Sequence, residues 1–168
     1  MGIVEFAMQM ELDGKAFYEA EAAKAPNKEL KEIFQYLADE EDRHYRFFKM
    51  LAEGKIDTAS QALESGESLK TTRNVFVQLI EDNKEERFGA EVRKAWEEAR
   101  KIEEKAVDLY SSEANKEADA SRKALLNRIA DEERNHVYLI DNMLSFMSDP
   151  QTFADSQDFA SFKSWEGH

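Results

Sequence analysis

The 168-residue chain has no cysteine, two prolines, six glycines and three histidines. Without cysteine there is no disulfide, no cysteine-bound zinc or iron–sulfur cluster and no thiol nucleophile. Positive charge is short as well: 23 Lys and Arg stand against 36 Asp and Glu, a formal net charge of −13. That surplus repels the phosphates of nucleic acid and acidic lipid, so neither nucleic acid nor a membrane is an expected partner, whereas cations are. No apolar run reaches the roughly 18 residues of a membrane span. Met1 to Phe6 lack the basic and apolar regions of a secretion signal, so a soluble cytoplasmic protein is expected. What remains is 42% hydrophobic and 35% charged residues with few helix breakers. Such a composition fits long helices with wet outer faces, in a single domain spanning 1–168.

The chain repeats itself. Leu37-Ala38-Asp39-Glu40-Glu41-Asp42-Arg43-His44 and Ile129-Ala130-Asp131-Glu132-Glu133-Arg134-Asn135-His136 read almost alike at an offset of 92 residues. The same offset carries Glu11 onto Glu103, Tyr18 onto Tyr110 and Asn27 onto Asp119, so two whole hairpins are related. Apolar periodicity predicts one hairpin over 2–53, broken at Pro26 and restarted at the N-cap Asn27, and a second over 88–147, restarted at Asp119. Gly54 suits a helix C-terminus. Residues 54–87 are too many for a tight turn and form a crossover, in which Val75 to Ile80 can make a short helix against the bundle. Phe153, Phe159, Phe162 and Trp165 in the tail, 148–168, are expected to pack as an aromatic clasp. The fold class is all-α: a four-helix bundle of two repeated hairpins with one long crossover between the second and third helices.

The buried stripes of these helices are not wholly apolar. Leu37, Glu41, His44 and Phe48 share one stripe of the second helix, and Ile129, Glu133, His136 and Ile140 share that of the fourth. Glu11 lies on the stripe of the first helix and Glu103 on that of the third. Four carboxylates and two imidazoles thus point at one axis at mid-height. Buried unpaired, the carboxylates would lose hydration worth many kcal/mol. No Lys or Arg lies on these stripes near them, which leaves protons or bound metal to neutralise them, and two divalent cations balance four carboxylates. A hydrogen-bonded polar core without metal is the competing reading. The shared offset and the small residues Gly14 and Ala106, each three places after an axial Glu, favour metal. Oxygen and nitrogen donors without sulfur suit iron or manganese, and zinc would also bind. Tyr18 and Tyr110 are expected either to fill the core or to hydrogen-bond a ligand carboxylate. Glu40 and Glu132, one place off the stripe, are expected at the surface, as are the runs Glu85-Glu86-Arg87 and, apart from Glu103, Lys101 to Lys105; His168 is expected to be disordered.

Glu11, Glu41-x-x-His44, a long crossover, Glu103 and Glu133-x-x-His136 resemble the ferritin-like di-iron carboxylate proteins. The text Met10-Glu11-Leu12-Asp13-Gly14-Lys15-Ala16-Phe17-Tyr18 with Leu37 to His44 is most similar to the rubrerythrin family, over roughly residues 3–147. The resemblance implies two irons held by Glu11, Glu41, His44, Glu103, Glu133 and His136, with Glu41 and Glu133 bridging. It implies reduction of hydrogen peroxide, or reaction with oxygen, and commonly a homodimer, in which the long crossover would allow helices to be exchanged. Many rubrerythrins carry a four-cysteine rubredoxin-like module; these 168 residues hold no cysteine, so electrons would come from an external donor such as rubredoxin. Peroxide-reducing relatives also tend to have an extra Glu one turn before the third-helix ligand, where this chain has Arg100. The alternatives to an oxidoreductase are a ferroxidase or iron-storage protein, and a bundle that metal merely staples.

Overall fold

Side-chain caps set where the helices begin. In the computed structural model, which describes residues 2–64, 69–84 and 87–167, Asn27 accepts from the amide of Leu30 and Asp119 from that of Arg122. Each opens the second helix of a hairpin. The elements are α1 (Ile3–Lys24), α2 (Lys28–Ala52), α3 (Ile56–Glu64), α4 (Leu69–Asp82), α5 (Ala90–Lys116), α6 (Ala120–Ser148), α7 (Pro150–Ala154) and α8 (Gln157–Lys163), with no strand among the described residues. Gly54, just past α2, has φ +75°, a left-handed conformation that glycine adopts without a side-chain clash, and the chain leaves the helix there.

Helices α1 and α2 pack as one antiparallel hairpin and α5 and α6 as the other, and the two face each other across an axis. Each end of that axis is apolar. At one end Phe34 stacks on Trp96 at 4.3 Å between ring centres, with Ile33, Ile140 and Phe146 around them. At the other, Phe47, Phe48, Leu126 and Ile129 close the bundle. Full burial of each such side chain contributes about 1.5–3 kcal/mol, so the two apolar layers hold the helices together and the polar layer between them need not.

The crossover is more ordered than its sequence suggests. Instead of one short helix it forms two, α3 burying Ala59 and Leu63, and α4 burying Thr72, Phe76, Leu79 and Ile80. The tail folds back as α7 and α8: Phe162 meets Phe76 edge-on at 4.7 Å, Trp165 packs on Tyr138 at 4.5 Å, and Arg73 donates to the Trp165 carbonyl at 2.5 Å. The tail therefore covers α4 and α6. Lys101, Glu104 and Lys105 face solvent. Glu85, Glu86 and His168 lie outside the described residues.

Candidate metal centre

Helical spacing of three and four residues stacks side chains on one face, and in all four long helices that face carries its charged residues inward. Glu11, Glu41, His44, Glu103, Glu133 and His136 are each at most 3% exposed. Their donor atoms form two groups, each within 4.8 Å: Glu41, Glu103, Glu133 and His136 in one, Glu11, His44 and Glu133 in the other. Glu133 belongs to both. The imidazoles lie side by side, 5.9 Å between ring centres and 24° from parallel.

Both histidines turn Nδ1 toward the carboxylates. Nδ1 of His44 is 2.5 Å from Glu133 Oε1 and 3.7 Å from Glu11 Oε1; that of His136 is 3.5 Å from Glu103 Oε1 and 3.6 Å from Glu133 Oε2. Close approach has not produced hydrogen bonds. Glu11 Oε2, Glu41 Oε1, Glu103 Oε2, both oxygens of Glu133 and Nδ1 of each histidine are buried with no hydrogen-bond partner among the described residues. Buried polar atoms are nearly always satisfied, so seven bare donors aimed at one volume fit a cation-binding centre. Gly14 supports this fit: a Cβ there would come 2.7 Å from Glu41 Oε2 and 3.1 Å from its Cδ. The carboxylate occupies the space a side chain would need.

The tyrosines reach across the axis to the opposite hairpin. Tyr18 on α1 donates to Glu103 Oε1 on α5 at 2.8 Å, and Tyr110 on α5 donates to Glu11 Oε1 on α1. One oxygen of each carboxylate is held while the other stays bare. Burial, reinforced by these carboxylates, pushes both phenols well above their usual pKa, so they remain donors.

Without metal the centre must hold protons. Burial and then the neighbouring carboxylates push Glu41 well above the usual carboxylate range, and burial with Glu103 raises Glu133 to about 8. Burial opposes charge on His44, but Glu133 and Glu11 outweigh it and hold its pKa well above normal; Glu103 does the same for His136. Burial also works against ionised Glu103, yet charge on His136 and the hydrogen bond from Tyr18 hold it down at about 2. Each proton retained this way is one that a cation would displace.

Two sequence expectations are corrected. Glu40 is 5% exposed and Glu132 is half-buried, so neither is a solvated surface charge. Glu40 Oε1 stands 3.7 Å from Nε2 of His136 and Glu132 Oε1 3.7 Å from Nε2 of His44, so each backs the histidine of the opposite hairpin. A buried cation also lies beside the centre although none shares the stripes of the six: Arg43, 3% exposed, donates to Glu40, Glu132 and the Leu63 carbonyl. Burial disfavours ionised Glu40, but the His136 imidazole and Arg43 outweigh it and hold its carboxyl far below the usual range. Tyr36 completes the set, donating to Glu40 at 3.1 Å. The signal in the sequence was the doubling of the acid, Glu40-Glu41 and Glu132-Glu133, in both copies. One residue along a helix turns about 100°, which carries a side chain off the axis but onto the neighbouring helix.

A family model described as Rubrerythrin matches residues 2–144. The chain belongs to the rubrerythrin family. Neither the curated proteins nor the solved structures give a match to it. Membership accords with the all-α bundle and with a buried Glu and His cluster suited to a di-iron carboxylate protein. Arg100, where the resemblance expects an extra Glu, pairs with Asp141 at 2.5 Å and with Glu104 at the bundle surface and contributes nothing to the cluster. Glu97, another turn back, is exposed and paired with Arg93. No described helix is long and apolar enough to cross a membrane.

Proposed function

We propose that this rubrerythrin-family protein is a di-iron oxidoreductase that reduces hydrogen peroxide with electrons from a separate carrier such as rubredoxin. The observation that carries the reading is the set of seven bare donor atoms, from four helices, converging between two apolar layers. Glu11, His44 and Glu133 would hold one iron, and Glu41, Glu103, Glu133 and His136 the other; manganese or zinc could occupy the same donors. When bound, the iron pair supplies the two electrons that reductive cleavage of a peroxide O–O bond consumes.

The chain's own part is to fix the ligands and exclude competing chemistry. Tyr18 and Tyr110 each immobilise one oxygen of a carboxylate and leave the other for the cation. Glu40 and Glu132 stand 3.7 Å from Nε2 of the histidines, where their charge favours a proton on that nitrogen and would leave Nδ1 to bind metal. The apolar layers keep bulk water from both ends of the axis. These 168 residues hold no cysteine to carry an electron centre of their own, and that part falls to the separate carrier.

Mixing the ferrous protein anaerobically with hydrogen peroxide tests this. Two irons oxidised per peroxide, faster than ferrous ion free in solution, is the expected outcome; oxidation no faster than free ion overturns the reading. Iron uptake continuing beyond two per chain would support the storage alternative instead.

A further inference from the structure

We propose that Arg43 is a positioning residue that makes the two metal positions interdependent, because one guanidinium serves the carboxylates behind both histidines. The inference rests on the reading of the cluster as a di-metal centre. Arg43 donates through Nε to Glu40 Oε2 at 2.7 Å and through Nη2 to Glu40 Oε1 at 2.9 Å, and Nη2 also contacts Glu132. Glu40 backs His136 and Glu132 backs His44, each at 3.7 Å. A chain of contacts therefore runs from one histidine to the other, His136, Glu40, Arg43, Glu132, His44, with hydrogen bonds in its middle and a 3.7 Å charge contact at each histidine. It passes outside the metal ligands and crosses from one hairpin to the other.

The repeat places one cation, not two, at this position. The 92-residue offset that pairs Glu40 with Glu132 and His44 with His136 pairs Arg43 with Asn135. Arg43 and Asn135 line the same cavity, about 250 Å³, so both copies of the position look into one space. Arg128 lines the same cavity and donates to the Leu63 carbonyl at 3.3 Å, yet its ion-pair partner there is Glu64 and not Glu40 or Glu132. One copy keeps the cation and the other carries a neutral amide. Both carboxylates must then share Arg43, and a change in one alters how firmly it holds the other. Arginine suits the task because its planar fork presents several fixed donors, whereas an ammonium is a single point charge. Its remaining arm, Nη1, donates to the Leu63 carbonyl at the end of α3, which anchors the fork from the crossover side.

The test reads the ring N–H protons of the two histidines in the Co(II)-loaded full-length protein, where proximity to the metal shifts them away from other signals and histidine nitrogen labelling assigns them. In Glu132→Gln both N–H signals are expected to move, although Glu132 faces His44 alone. In Glu132→Gln with Arg43→Lys the His136 signal should return toward its position in Arg43→Lys by itself. Co(II) affinity follows the same logic: Glu40→Gln and Glu132→Gln should each lose about 10–100-fold, the usual effect of removing a carboxylate behind a metal-bound histidine. The double variant should depart from the product of the two. Movement of the His44 signal only, or losses that simply multiply, overturns the inference while leaving the metal centre in place. Binding of fewer than two Co(II) per unmodified chain overturns the reading on which the inference rests. Because Glu132→Gln keeps the shape of the side chain, the measurement does not depend on a variant that empties the buried Arg43 position.

Discussion

The two hairpins agree at the axis and diverge one residue away from it. Glu11 and Glu103, Glu41 and Glu133, His44 and His136, Tyr18 and Tyr110 are matched pairs by sequence offset and by burial, and the tyrosine bonds are reciprocal. Around them the halves part. Gly14 answers Ala106, Arg43 answers Asn135, and Tyr36, which donates to Glu40, answers Arg128, which donates to the Leu63 carbonyl at 3.3 Å. The lesson is that a duplicated hairpin must stay symmetric where two like cations require like donors. It is free to diverge where a side chain lies off that set.

The largest effect expected from breaking the matched set is loss of metal. Glu103→Ala and, on the other hairpin, Glu11→Ala should each lower bound metal from two toward one per chain and abolish peroxide reaction; elemental analysis and stopped-flow absorbance would check both. Unequal losses would show that the halves are not equivalent even at their matched positions.

A smaller effect separates Gly14 from its counterpart. Gly→Ala within a helix ordinarily stabilises by up to about 1 kcal/mol. Here the new Cβ would press on Glu41, 2.7 Å from Oε2, so Gly14→Ala should hold or raise the melting temperature of the metal-free protein and still weaken metal binding about tenfold or more. Ala106→Gly should do the reverse: lower the melting temperature by about 2–4 °C and leave affinity unchanged. Calorimetric scans with and without Zn(II), beside a Zn(II) titration, give both readings.

The pH dependence of the metal-free protein follows from which groups hold protons. Glu133, raised to about 8, keeps a proton in the folded state that it loses near 4.5 when unfolded, so its contribution is lost as pH rises from about 4.5 through 8. His44 and His136, raised above 6.5, act in the same direction at higher pH. Glu103, held at about 2, works oppositely, its contribution being lost as pH falls from 4.5 toward 2. Melting temperature should therefore peak on the mildly acidic side and decline by several degrees toward pH 8, while the stabilisation gained from metal widens over the same rise. Glu41→Gln and Glu133→Gln should flatten that decline to similar extents, one from each hairpin.

The smallest effect belongs to Arg100. Its bonds to Asp141 and Glu104 lie at the surface, where ion pairs contribute about 1 kcal/mol or less, so Arg100→Ala should change the melting temperature by only a few degrees. Metal content and the optical spectrum of the loaded protein should not change.

What could be read from the sequence alone was whatever local geometry decides. Helix periodicity is a property of consecutive residues, so the spacing of Glu41 and His44, the repeat of that spacing at Glu133 and His136, and the axial Glu11 and Glu103 were visible before any fold. The crossover was only partly legible, because α3 is nine residues long and buries just Ala59 and Leu63, too short a pattern to mark an element by itself. Glu40 and Glu132 were misjudged for a related reason, and Arg43 was passed over. Taken on its own helix each is a charged residue beside the buried stripe, where solvent is the usual neighbour. Only the packing of α2 against α6 removes that solvent, sets Glu40 against His136 and Glu132 against His44, and leaves Arg43 as the cation both carboxylates share. A pattern along one helix names the groups that turn inward; which of them meet across two hairpins depends on how the helices pack, and that is a property of the tertiary structure.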